Sequence, residues 1–96
     1  MDLGIDYALM QAYNMNYYFL IDTNGEMRIV NKFSGTDINY SRPIVVNSKD
    51  YETREEFEKA VYHKVIEYIG TVSKGKEDKD QKRYDICMRI YKYFNK

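Results

Sequence analysis

The chain has 96 residues and a mass of 11.5 kDa, the size of one small domain. Fifteen Lys and Arg residues balance fifteen Asp and Glu residues, and this zero net charge excludes both a histone-like basic protein and a strongly acidic mimic of nucleic acid. A single cysteine excludes a disulfide framework, whereas 44% hydrophobic residues are enough for a packed core.

The first predicted element is a helix over residues 3–14. Its core-facing residues recur at helical spacing and are Ile5, Ala8, Leu9 and Ala12. A second apolar stripe on roughly the opposite side consists of Leu3, Tyr7 and Met10. A helix packed on one sheet buries one stripe, so the second stripe needs another partner. Two interpretations stay open: the last helix covers this stripe, or the stripe is a contact surface, such as a homodimer interface formed by the N-terminal helix.

The next element is a β-hairpin, predicted by an Asn-Gly pair that ends at Gly25 between two apolar runs. A two-residue turn would mix the faces of the hairpin. The alternative is a three-residue loop with Gly25 in the left-handed conformation, which pairs Ile21 with Met27. The next pair on the same face is then Phe19 with Ile29, which gives that face four apolar side chains. Because a slip of one residue exchanges the faces, the hydrophobic pattern selects this second register.

A third strand is predicted over residues 38–46, where apolar and polar residues alternate. Pro43 has no N–H to donate, so this strand is expected at an edge of the sheet or with a bulge at that residue. A long helix then follows Thr53, because Thr53 and Glu56 have the spacing of a capping box. The core-facing residues of this helix are Phe57, Val61, Val65, Tyr68, Ile69 and Val72.

This core helix is expected to end at Gly70 or Gly75, followed by a polar linker over residues 73–81. The periodicity of a last helix, about residues 80–94, directs inward Tyr84, Cys87, Ile90, Tyr91 and Phe94. The element order is therefore α-β-β-β-α-α. It predicts one α+β domain over residues 1–96, with a three-stranded antiparallel β-meander packed against helices.

Few side chains suit catalysis. His63 is the only histidine and lies away from the core side of its helix, whereas Cys87 lies on the buried side of another helix. Residues 70–76 match the spacing of a phosphate loop, but Glu77 follows where a Ser or Thr should bind magnesium. We therefore predict a chain that is not an enzyme and that has no catalytic residue, cofactor or metal.

The location of the protein is predicted from two further features. No apolar run approaches the roughly 18 residues that a membrane span needs. The N-terminus contains Asp2 and Asp6 and lacks the basic region of a secretory signal. A cytoplasmic protein without a membrane partner is therefore expected.

Charge is distributed unevenly along the chain. Residues 1–73 contain seven Lys and Arg and eleven Asp and Glu, a net charge of −4, whereas residues 74–96 contain eight and four, a net charge of +4. The acidic candidate surface for a protein partner consists of Asp37, Tyr40, Asp50, Tyr51, Glu52, Glu55 and Glu56. The basic alternative, for nucleic acid, consists of Lys82, Arg89, Lys92 and Lys96. Helix-start stabilisation is the simpler explanation of the glutamates, and the two charges can also complement each other within the molecule.

Two resemblances bear on function. The order α-β-β-β-α is that of double-stranded RNA-binding domains, but their basic cluster is replaced here by Thr-Arg-Glu-Glu at residues 53–56, which argues against their mode of binding. Size, composition and the full element order are similar to certain small phage-encoded anti-CRISPR inhibitors. That resemblance implies a bacterial partner, a CRISPR effector or another nucleic-acid enzyme, contacted by the acidic residues of 50–58 and Asp37, with Tyr40 and Tyr51 as anchors.

The sequence therefore predicts a non-catalytic protein-binding inhibitor or adaptor. Eleven tyrosines are more than a core of this size can bury, and exposed tyrosines are common at protein contact surfaces. The alternative is a small nucleic-acid-binding protein that uses the basic C-terminal helix.

Overall fold

The computed structural model describes residues 2–33, 43–71 and 78–95. The helices are α1 (Leu3–Met15), α2 (Arg54–Thr71) and α3 (Asp78–Phe94), and the strands are β1 (Tyr18–Ile21), β2 (Met27–Val30) and β3 (Ile44–Asn47). A short 3-10 helix, Ser48–Asp50, connects β3 to α2. The α+β class, the three antiparallel strands and the order α-β-β-β-α-α are confirmed.

The strand order across the sheet is β2-β1-β3, so β1 is the central strand. In a simple meander the second strand would be central, and here both later strands pair with the first instead. The burial of β1 gives the physical reason. Phe19, Leu20 and Ile21 are fully buried, whereas all four residues of β2 are half-buried. A strand that is apolar on both faces belongs where neighbours cover both of its edges.

The hairpin has the predicted register, with Ile21 opposite Met27. Its loop is held by Asp22, whose Oδ1 accepts hydrogen bonds from the N–H groups of Asn24 and Glu26 at 2.9 and 3.0 Å. Gly25 has φ +78°, as the three-residue loop requires. The same residue lies against α3, because a Cβ at Gly25 would be 2.7 Å from the carbonyl carbon of Lys82.

Helix α1 buries the predicted stripe, Ile5, Ala8, Leu9 and Ala12. Its N-cap is Asp2, whose Oδ1 accepts a hydrogen bond from the N–H of Ile5 at 3.3 Å. The second stripe is not covered by α3: Leu3 is 73% exposed and Tyr7 is 56% exposed. The contact-surface interpretation of this stripe, including a homodimer through α1, stays a prediction.

Helix α2 starts as the capping box predicts. The Oγ1 of Thr53 accepts a hydrogen bond from the N–H of Glu56 at 3.1 Å and donates one to its Oε1 at 3.3 Å. The buried residues are Phe57, Val61, Val65 and Tyr68. Gly70 does not end the helix, because the described helix includes Thr71, whose hydroxyl donates to the main-chain oxygens of Glu67 and Tyr68. Gly75 and most of the predicted linker lie outside the described residues.

Helix α3 spans Asp78–Phe94 among the described residues, so residues 78–81 of the predicted linker are helical. Its buried stripe consists of Arg83, Ile86, Cys87 and Ile90. Tyr84 and Phe94 are half-buried, and Tyr91 is 37% exposed, so the predicted inward position of Tyr91 is wrong. Arg83 is almost completely buried, and its guanidinium lies 4.9 Å from the centre of the Tyr68 ring.

The core lies between the sheet and the helices. Helices α1 and α2 pack on the face of the sheet formed by Phe19, Ile21, Ile44 and Val46, and α3 packs mainly on α2. Each fully buried Ile or Phe contributes roughly 1.5–3 kcal/mol to stability. This arrangement leaves the start of α2 and the outer edge of β3 at the surface.

Candidate docking surface

The acidic candidate surface lies where the 3-10 helix meets α2. Asp50, Glu52, Glu55 and Glu56 are exposed, and Tyr51 between them is half-buried. These five predicted site residues lie on one continuous stretch of chain. The other two, Asp37 and Tyr40, lie outside the described residues.

Arg54 is the one cation within residues 50–58, which are bordered by Lys49 and Lys59, and its guanidinium binds carboxylates outside the predicted surface. Its Nη2 contacts Asp6 Oδ1 of α1 at 3.2 Å, and its Nε contacts Glu58 Oε2 at 2.5 Å. The hydrogen bond that Arg54 donates to Glu58 is the main reason that the pKa of the guanidinium is raised. Arg54 is therefore engaged by Asp6 and Glu58, which leaves Lys49 and Lys59 as the cations that flank the exposed carboxylates of the acidic surface.

Asp6 also receives a hydrogen bond from α3, since the hydroxyl of Tyr93 donates to Asp6 Oδ1 at 2.9 Å. Burial and this hydrogen bond together raise the pKa of Tyr93 to about 12. The phenol therefore keeps its proton at neutral pH and remains a donor. One carboxylate thus joins three helices, which fixes the start of α2 on the rest of the molecule.

A groove of about 390 Å³ begins beside the acidic surface and runs between β3 and α2. Asp50 and Tyr51 belong to both features. The strand side of the groove is completed by Val45, Val46 and Asn47, and the helix side by Ala60, His63, Lys64 and Glu67. His63 is exposed, as its position on the helix predicted.

A second groove, of about 290 Å³, lies on the other side of the acidic surface, between α2 and the end of α3. Glu55 is one of its lining residues, together with the aromatic rings of Tyr62 and Phe94. These rings are in edge contact with centroids 5.4 Å apart, and Asn95 Nδ2 donates to the hydroxyl of Tyr62 at 3.0 Å. The acidic start of α2 is therefore flanked by a groove on each side.

The basic alternative is reduced by an ion pair within the molecule. Lys82, Arg89 and Lys92 are exposed on α3, and Lys96 lies outside the described residues. Arg89 donates from Nε and Nη2 to the two carboxylate oxygens of Asp2, each at 3.0 Å. Desolvation raises the pKa of Asp2, but the hydrogen bonds from Arg89 and from the N–H of Ile5 outweigh it, so the net pKa is lowered. At this pair the two charges complement each other internally.

Reactive chemistry finds little support in the described part of the chain. Cys87 is fully buried, and desolvation raises the pKa of its thiol to about 12, which disfavours the nucleophilic thiolate. Among the residues that the structure describes, no group of three His, Cys, Asp or Glu side chains is placed to hold a metal ion. Over the same residues, no helix is long and apolar enough to cross a membrane.

Several lining residues of the first groove were not identified from the sequence. Ala60, His63, Lys64 and Glu67 follow one another at helical spacing on α2, and this spacing is a signal that they share one side. Nothing in the sequence shows that this side lies beside β3.

Comparison of the chain with protein-family models, with curated proteins and with solved structures finds no match.

Proposed function

We propose that this chain is a non-catalytic inhibitor or adaptor that binds a bacterial nucleic-acid enzyme through the acidic surface at the start of α2. The observation that carries the proposal is the set of exposed carboxylates, Asp50, Glu52, Glu55 and Glu56, which outnumber the flanking Lys49 and Lys59 and whose intervening cation, Arg54, is held by Asp6 and Glu58. A CRISPR effector is the proposed example of such an enzyme, because the size and element order of the chain are similar to those of small anti-CRISPR inhibitors.

The physical basis is competition for a basic surface. Enzymes that handle nucleic acid attract phosphates with Lys and Arg, and a cluster of carboxylates is attracted to the same groups. The overall charge of this chain is zero, so the attraction is local and is limited by a screening length of about 8 Å at physiological salt. Tyr51, half-buried beside the glutamates, supplies the aromatic contact that commonly anchors such interfaces.

The test is a charge reversal with a matched control. Glu55→Lys and Glu26→Lys each change the net charge by the same amount at an exposed residue, but Glu26 belongs to the hairpin loop. The tagged parent chain and both variants are used to retain proteins from a bacterial lysate treated with nuclease. We expect one retained protein with the parent and with Glu26→Lys, and at least a tenfold loss with Glu55→Lys, which corresponds to about 1.4 kcal/mol.

Two results would contradict the proposal. Equal retention by Glu55→Lys and the parent would show that the acidic surface does not bind the partner. Retention that disappears after nuclease treatment would indicate binding to nucleic acid, and reversal of Lys82 and Lys92 would then be the relevant experiment.

A further inference from the structure

The outer edge of β3 is the starting observation. In the order β2-β1-β3, β3 pairs with β1 on one side. In an antiparallel ladder the backbone groups of successive residues point alternately toward the partner strand and away from it. The N–H of Ser48 donates to the carbonyl oxygen of Tyr17, the residue before β1, at 3.2 Å. The backbone N–H and C=O groups of residues 44 and 46, which alternate with it, therefore also point toward β1. The backbone groups of Val45 and Asn47 therefore face away from the sheet.

These outward groups are the ones that a further strand would need. In the described part of the chain, the N–H and C=O of Val45 and the N–H of Asn47 have no hydrogen-bond partner. Pro43 occupies the next outward position and has no N–H, which limits the available edge to the segment after it. Val45 and Asn47, whose backbone groups point outward, can thus form up to three hydrogen bonds with an extended chain.

The groove between β3 and α2 lies along this edge and provides room for side chains. Its volume of about 390 Å³ compares with the ~30 Å³ that one water molecule occupies in the liquid. The short side chain of Ala60 lines it one helical turn before the longer side chains of His63 and Lys64. An added strand would direct alternate side chains toward α2 and place them in this space.

We propose that the edge of β3 binds an extended segment of the protein partner as an added β-strand. This inference rests on the proposed function and specifies how part of the partner is bound. Main-chain hydrogen bonds to Val45 and Asn47 supply affinity, and the groove over Ala60 holds an apolar side chain of the segment. Among the charged residues that line the groove, Asp50 and Glu67 outnumber Lys64. The acidic surface also adjoins the groove. We therefore expect the partner's segment to carry Lys or Arg near its apolar residue.

The experiment uses the full chain and a phage-displayed library of random 12-residue peptides as the probe. Enriched peptides are synthesised, and their affinities are measured by fluorescence anisotropy. Val45→Pro removes one outward N–H without removing a hydrogen bond to β1, whereas Val45→Thr keeps that N–H and is the matched control. We expect enriched peptides in which an apolar and a basic residue are two positions apart, so that both face the groove. We also expect at least tenfold weaker binding to Val45→Pro, and binding to Val45→Thr within about twofold of the parent.

A second variant keeps the test valid if Val45→Pro does not fold. Ala60→Arg fills the groove from the helix side and leaves the strand unchanged, so it should weaken the same peptides at least tenfold. Hydrogen exchange gives an independent readout, because peptide binding should slow exchange of the Val45 and Asn47 amides and leave that of Ile29 in β2 unchanged.

Three results would overturn the proposal. The first is a library that yields no enriched peptide, and the second is a set of peptides that bind both variants as tightly as the parent. The third is a parent chain whose mass by light scattering is that of a dimer and falls to a monomer in Val45→Pro, because the edge would then pair with a second copy. If Glu55→Lys loses the lysate partner while the peptide test fails, the proposed function stands and strand addition alone is refuted.

Discussion

The contact between the hairpin loop and α3 can be tested by replacing one glycine. In Gly25→Ala the new Cβ would lie 2.7 Å from both the carbonyl carbon and the Cβ of Lys82, and 2.8 Å from its carbonyl oxygen. Two of these atoms belong to the main chain of a helix, so they cannot rotate away as the end of a flexible side chain could. The residue must also keep φ near +78°, a conformation that an L-residue other than glycine adopts at a cost.

The two effects add to a large fraction of the stability of such a domain. The left-handed conformation costs about 1–2 kcal/mol for alanine, and moving packed elements apart costs about 1–3 kcal/mol. A total near 3 kcal/mol, within a domain stability of about 5–15 kcal/mol, lowers the Tm of a chain of this size by about 12–24 °C.

Thermal unfolding followed by far-UV circular dichroism measures this effect, with Gly70→Ala as the matched control. Gly70 lies inside α2, and a Cβ there meets no atom within 4 Å, so alanine should stabilise the helix by about 0.5–1 kcal/mol. Opposite shifts from the same chemical change would show that position decides the outcome. A Gly25→Ala variant as stable as the parent would refute the close approach of the hairpin to α3.

Two further predictions concern the ends of the described chain and its cysteine. Asp2→Asn keeps the N-cap but loses the charge pair with Arg89. Because the pKa of Asp2 is lowered in the folded state, the parent should be more stable than the variant at pH values above the unfolded pKa, by less than about 1 kcal/mol. This difference in stability should disappear as the pH falls through the folded pKa. Urea midpoints at neutral pH and near pH 2.5 measure it, and a constant difference would contradict it. Cys87 should react with a thiol reagent at mildly alkaline pH only when the protein unfolds, since its pKa is about 12; labelling as fast as that of a free thiol would contradict this.

The elements that the sequence predicted well are those set by local patterns. The stripe of α1 repeats within a few residues, and the register at Ile21 and Met27 follows from the loop that Gly25 allows. The central place of β1 had no such signal, because it depends on which strand the chain returns to after β2. The one relevant feature of the sequence is that Leu20 is apolar on the face of β1 opposite to Phe19 and Ile21, and the structure buries it completely.

The burial of Arg83 could not be predicted, because a charged residue is normally assigned to the surface. It lies one turn before Cys87 and two turns before Ile90, on the stripe that enters the core, and its charge is accommodated over the ring of Tyr68. Because Tyr84 and Tyr91 were counted as core residues, the predicted buried stripe of α3 was rotated around the helix from its observed position. Tyrosine is amphipathic and occupies the border of a core as readily as its interior.

For the docking surface, the sequence predicted that the acidic side chains are exposed, but it did not predict the grooves beside them. The exposed glutamates of the acidic surface are neighbours in the chain, so their clustering needed no tertiary information. The grooves on either side depend on where β3 and α3 lie relative to α2. The pairing of Asp2 with Arg89, which weakens the basic alternative, joins residues 87 positions apart and could not be read from local spacing.

That separation has a consequence for the order in which contacts form. Asp2–Arg89 and Asp6–Tyr93 each join residues 87 positions apart, whereas Arg54–Glu58 spans four. The entropy of closing a loop grows with the logarithm of its length, so each long contact costs about 2.7 kcal/mol more to close than the short one. This cost exceeds the gain from an exposed ion pair, so hydrophobic contacts must first bring α1 and α3 together. These polar contacts therefore do not drive the two helices together. They form after the packing of the core has placed α1 and α3 within hydrogen-bonding distance, and they then fix the orientation of α1 relative to α3.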